Sequence, residues 1–272
     1  MKLILSIKTF LFITLITISN INFAQNDSAK TKIKTNFSAD LFSRYIWRGT
    51  QFGGNSPSLQ PGITANYKNL EIGTWGAYSI GGNNPAQEMD LFLQYTFLKN
   101  KLSVIITDYF FPTETANYNY FDYNKNTTGH IFESGLTFNG TQKIPLTFSS
   151  YINIFGADAA KIGDNPNDTT NFNKKTGIQY SNYFELGYTK TITNTELNFF
   201  IGFTLNKQKS ANTTIGYIGE TGFYGNGPGI VNLGLKAQKT IKITKYYSLP
   251  LTTSLITNPQ AHKVYLIFGI SF

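Results

Sequence analysis

Histidine is the scarcest acid–base group in this chain of 272 residues: there are two, and there is no cysteine. To serve an acyl hydrolase, His130 would need a serine hydroxyl within hydrogen-bond reach and an acid or amide to orient the ring. Ser134 shares its parity but lies ~13 Å away at strand spacing, so a serine from a neighbouring strand, such as Ser150, would have to take the part. A polar residue at a strand end is the plainer reading of both His130 and His262. No paired-histidine spacing or H-E-x-x-H run offers a metal site. The run G-D-N-P-N-D at 163–168 lacks the spaced ligands and closing glutamate of a calcium loop. The glycine-rich T-G-F-Y-G-N-G-P-G at 221–229 is a flexible loop and does not open a helix as a phosphate loop must. The chain is therefore read as a non-enzyme with no catalytic residue, metal or cofactor.

The informative chemistry lies in charges set against aromatics. Residues 43–49 read S-R-Y-I-W-R-G. In a strand, Arg44 and Arg48 point one way and Tyr45 and Trp47 the other. The same alternation recurs along the chain. Met89, Leu91, Leu93, Tyr95 and Phe97 alternate with Glu88, Asp90, Phe92, Gln94 and Thr96, and Leu197, Phe199, Ile201 and Phe203 alternate with Glu196, Asn198, Phe200, Gly202 and Thr204. About twelve such segments are expected, near 36–48, 58–67, 70–79, 88–98, 102–111, 130–138, 146–156, 180–189, 195–204, 230–238, 249–257 and 263–272, each close to the ~9–11 residues of a tilted membrane strand. Short turns such as Lys99-Asn100-Lys101 alternate with longer loops at 112–129, 157–179 and 205–229. The pattern predicts an all-β fold: a transmembrane, antiparallel up-and-down barrel with short periplasmic turns and long extracellular loops. A soluble sandwich or lipocalin-like barrel would alternate too, with its apolar face inward. Aromatics near strand ends and glycines on the polar face favour the membrane form. Asp108 breaks the pattern by sharing parity with Val104 and Ile106, which calls for a bulge or a position above the lipid.

Ahead of the strands, Lys2 and Lys8 flank the apolar run F-L-F-I-T-L-I-T-I, and Asn22-Phe23-Ala24 precedes Gln25. Residues 1–24 read as a secretory signal peptide, 25–35 as a polar leader and 36–272 as the barrel. Of 23 basic residues, loss of Lys2 and Lys8 leaves 21 against 15 acidic. They are scattered through polar turns with no dense run, which argues against nucleic acid.

An ionised side chain facing lipid at mid-bilayer costs ~2–4 kcal/mol, so charges on the polar parity must face the lumen. These candidate pore-lining residues are Asp40, Arg44, Arg48, Glu71, Glu88, Asp90, Glu133, Glu185, Glu196 and Lys236, a net acidic set. They would either line a wet constriction or close it with salt bridges. The opposite parity supplies the expected membrane-interface girdle: Tyr45, Trp47, Tyr67, Tyr78, Phe97, Phe138, Tyr188 and Phe272. Loop 205–229 is the best candidate to fold inward.

The stretches D-L-F-S-R-Y-I-W-R-G at 40–49, S-P-S-L-Q-P-G at 56–62, G-T-W-G at 73–76, E-M-D-L-F at 88–92, T-D-Y-F-F-P at 107–112 and the closing N-P-Q-A-H-K-V-Y-L-I-F-G-I-S-F resemble the TorF-type porins in the same order. The resemblance implies an outer-membrane barrel of a Gram-negative bacterium and no settled substrate. The expected function is a passive channel for small polar or ionic solutes, with mild cation preference; the alternatives are a non-conducting barrel that works through its loops and, less favoured, an acyl hydrolase. Expected partners are outer-membrane lipids and lipopolysaccharide, small solutes, and the barrel assembly machinery engaged through the C-terminal strand.

Overall fold

The computed structural model describes residues 32–82, 87–112 and 119–272. The expected signal peptide, and the leader as far as residue 31, lie outside the described residues. The unit Ile33–Phe272 is all β. Its strands are β1 Lys34–Phe42, β2 Tyr45–Trp47, β3 Thr50–Phe52, β4 Ser58–Tyr67, β5 Leu70–Ser79, β6 Gln87–Phe97, β7 Leu102–Phe110 and β8 His130–Phe138. There follow β9 Leu146–Gly156, β10 Ala160–Ile162, β11 Lys175–Ile178, β12 Asn182–Ile192, β13 Thr195–Thr204, β14 Gly229–Lys242, β15 Ser248–Asn258 and β16 Lys263–Ser271. Twelve of them close an antiparallel barrel in the order β1-β16-β15-β14-β13-β12-β9-β8-β7-β6-β5-β4, while β2–β3 and β10–β11 form separate two-stranded sheets.

Neighbours in chain order are joined at one rim by tight turns. Between β12 and β13, Thr193 and Asn194 both take positive φ, 45° and 64°, the type I′ geometry that matches the right-handed twist of the flanking strands. The direction of the pleat is unambiguous. Leu91, Leu93, Phe199 and Phe268 are 44%, 47%, 48% and 55% exposed, whereas Ser103, Thr107, Glu133 and Asn232, on the opposite parity, are buried. Apolar side chains therefore face outward and polar ones inward, the reverse of a soluble sandwich. Asp108 involves no bulge: β6–β7 and β7–β8 keep register through it, and it sits on the outer face.

Glycines on the inner face make room for rings. Gly73 lies directly opposite Phe92, Gly135 opposite Tyr151, Gly234 opposite Phe200 and Gly269 opposite Phe42. A Cβ at any of the four would overlap the facing ring. The lumen side of the wall is packed by these pairs at defined registers.

The first strand departs from the expected 36–48. β1 pairs with β4 over its whole length but with β16 only at Asp40↔Ser271, Leu41↔Ile270 and Phe42↔Gly269. The Ser43 N–H then donates to the Phe268 carbonyl (2.8 Å), and the chain leaves the wall. It forms the hairpin β2–β3, reversed at Arg48 and Gly49, whose φ values of 48° and 77° are again those of a type I′ turn. Gly49 is pressed against the β14 backbone, where a Cβ would meet the Val231 carbonyl. Tyr45 and Trp47 consequently turn into the barrel. The girdle expectation for these two is corrected: their alternation belongs to a hairpin inside the lumen and not to the wall.

Candidate functional site: the closed lumen

The hairpin carries Arg48 across to the far wall. Its guanidinium forks onto the Glu133 carboxylate of β8, with Nη2 donating to Oε1 at 2.9 Å and Nη1 donating to Oε2. The Tyr109 hydroxyl donates to Glu133 Oε1 and the Tyr224 hydroxyl to Oε2, both at 2.9 Å, while Tyr224 also accepts from Arg48 Nη1. Rings surround the cation: its Cζ lies 4.2 Å from the Tyr151 centroid and 4.5 Å from those of Tyr183 and Trp47. A buried charge pair is tolerable only with this degree of hydrogen bonding and ring contact. Tyr224 and Phe223 come from the long connection between β13 and β14 and pack on Trp47 at 5.8 Å and 6.3 Å between centroids. That loop thus reaches into the barrel beside the hairpin.

The remaining charges divide into four groups. Glu88 and Asp90 on β6 are buried. The Tyr45 hydroxyl lies beside the Glu88 carboxylate, and Glu88 Oε2 and Asp90 Oδ1 have no partner among the described residues. Glu185 on β12 accepts from the Tyr183 hydroxyl and from Asn232 Nδ2 (3.1 Å). Asp40 and Glu71 lie partly buried, and Glu196 exposed, on the inward parity of β1, β5 and β13, and none of them has an ion-pair partner among the described residues. Arg44 and Lys236 are likewise unpaired; Arg44 only donates to Gln51 Oε1 at 3.4 Å. Both line a lumen cavity of 340 Å³, with Phe42, Phe200, Glu185 and Asn232. All ten charged candidates thus lie inside the barrel, but Arg44 and Arg48 get there on an infolded hairpin.

Tyr67, Tyr78, Phe97, Phe138, Tyr188 and Phe272 take the outward parity, with Tyr67, Tyr78 and Phe272 exposed. Also outside, His130 is wholly buried under Tyr120 and Tyr123. Its Nδ1 meets Asp108 Oδ1 at 2.8 Å, and its Nε2 donates to the Tyr120 carbonyl at 2.6 Å. Both ring nitrogens are engaged, and neither Ser134 nor Ser150 is a partner. Asp108 is accounted for by this pair, which the loop after β7 covers.

At the long-loop rim, the connections β9–β12 and β13–β14 clasp through Lys209 Nζ and Asp164 Oδ2 (2.7 Å), and that contact holds the Asp164 carboxyl below its ordinary range. Asp168 caps its own turn by accepting from the Thr170 and Asn171 N–H groups. Among the described residues no group of acids and histidines could hold a metal ion.

Sequence reasoning missed Tyr109, Tyr151, Tyr183 and Tyr224, which complete the Arg48–Glu133 site. The signal for three of them was their inward parity; Tyr224 sits in a loop and had none.

A family model described as a bacterial protein of unknown function (Gcw_chp) matches residues 24–219. No curated protein matches the chain. A solved structure described as "Unveiling the Mechanism Behind the in-meso Crystallization of Membrane Proteins" is similar at 6% identity and a TM-score of 0.39, over 87% of this chain and 82% of that one.

Proposed function

This chain belongs to the Gcw_chp family of bacterial proteins of unknown function, and from that premise we propose that it is an outer-membrane channel whose lumen is held shut by its own hairpin. One observation carries the reading: a closed barrel with its apolar residues on the outside, as Leu91, Leu93, Phe199 and Phe268 are placed, needs hydrocarbon around it. The likeness of the sequence to TorF-type porins supports the same assignment. Lipid and lipopolysaccharide would surround the wall, tight turns would face the periplasm and long loops the exterior, and the C-terminal strand would engage the barrel assembly machinery. An export segment at 1–24, as the sequence is read, would accord with this location.

The transported solutes would be small and polar or ionic. With Arg48 neutralised by Glu133, Asp40, Glu71, Glu88, Asp90, Glu185 and Glu196 remain against Arg44 and Lys236, so an opened lumen should mildly prefer cations. A second reading has an observation of its own: β2–β3, Tyr224 and Phe223 already fill the middle of the barrel, as a structural barrel working through its loops would require. Planar-bilayer recording separates the two. The channel reading expects low, intermittent conductance in the parent protein and clearly higher conductance in Arg48→Ala, which unlatches the hairpin from Glu133. Silence in both would leave the structural barrel.

A further inference from the structure

We propose that the lumen cavity beneath the hairpin is a binding site for short zwitterionic peptides, an inference that rests on the channel reading and names its solute. The cavity is bipolar along β14. Asn232 and Lys236 lie four residues apart on one face, ~13 Å at strand spacing. At the first end, Asn232 lines the wall 6% exposed. Its Nδ2 is committed to the Tyr183 hydroxyl (2.9 Å) and to Glu185, whereas its Oδ1 has no partner. Glu185, half-buried beside it and lining the same cavity, is the carboxylate that calls for a cationic donor, such as an α-ammonium group. At the other end, Lys236, with Arg44 lining the same cavity, has no ion-pair partner among the described residues, nor does Arg44, and the two cations call for an anion. Phe200 and Ile256, both paired with Gly234, line the stretch between the poles, which suits an apolar side chain.

The spacing selects the ligand. A free amino acid cannot touch both poles. An extended tripeptide spans about 10 Å, and the flexible lysine stem covers the remainder. A volume of 340 Å³ accommodates a ligand of that size with small side chains.

Isothermal titration of the refolded protein in detergent micelles tests this with Ala-Leu-Ala, its C-terminal amide and its N-acetyl form. The free tripeptide should bind saturably. The amide and the acetylated peptide should each bind about tenfold or more weakly, because each leaves one pole unmet. Lys236→Gln should weaken the free tripeptide and leave the amide unchanged. Lys236 is half-buried in the wall and holds no network together, and circular dichroism with heat-modified gel mobility confirms that the variant folds. Absence of binding, or equal binding of all three peptides, would overturn the site. Peptide binding in micelles with a silent bilayer would retain the site and remove the channel; conductance without peptide binding would do the opposite.

Discussion

Arg48 and Glu133 are 85 residues apart in sequence and stable inside the barrel only together. Removing either leaves an uncompensated charge away from bulk water, at a cost of ~3–5 kcal/mol, whereas replacing both with apolar residues of similar size is often nearly neutral. Glu133→Gln should therefore lower barrel stability by about that amount, and Arg48→Met with Glu133→Leu should recover most of it; urea unfolding followed by tyrosine and tryptophan fluorescence measures both. Arg48→Lys should behave like a loss and not a conservative change, because an ammonium cannot fork onto both carboxylate oxygens or keep a planar group against the Tyr151 and Tyr183 rings. Alternation puts both residues on the lumen-facing parity. It could not supply the tyrosine hydroxyls that make the pair affordable, since hydroxyl partners follow from three-dimensional contact and leave no spacing in the chain.

At the scale of elements, what alternation encodes was legible and what interrupts it was not. β6 can be read directly from Met89, Leu91, Leu93, Tyr95 and Phe97, because each step of the pleat reverses the side chain and only one register buries the acids. The hairpin was hidden for the same reason. Tyr45 and Trp47 continue the parity of Leu41, so the pattern runs unbroken across a place where the chain has left the wall. The turn that reverses it is Arg-Gly, outside the Asn-Gly and Asp-Gly pairs that usually mark type I′ geometry. The inward glycines were legible as curvature, but their partners required the register. Gly73 shows the consequence: an added Cβ would come 2.6 Å from Phe92 and 2.8 Å from the Ile63 carbonyl, and the second of these is backbone that cannot swing aside. Gly73→Ala should cost about 1–3 kcal/mol by overpacking, and the double variant Gly73→Ala with Phe92→Leu should regain part of it. The same unfolding assay gives both numbers.

For the whole molecule, the placement of the two tryptophans separates this barrel from the girdled one that alternation alone suggests. Trp47 sits among Tyr109, Tyr224 and Phe223, and Trp75 packs on Tyr45 inside the wall. Neither faces the surroundings. In vesicles containing brominated lipid, quenching of tryptophan emission should be weak, and in Arg48→Ala a water-soluble quencher should gain access to Trp47; strong bromine quenching of the parent protein would place a tryptophan at the lipid boundary. The circumference also has one thin place. Where β14 and β15 are joined by ten register pairs, β1 and β16 are joined by three, because the segment that would have extended the first strand forms the inner β2–β3 hairpin. Sealing the interior and sealing the circumference thus draw on the same dozen residues, so a hairpin released from the lumen could zip onto the bare edge of β16, opening the passage and thickening the wall in one movement.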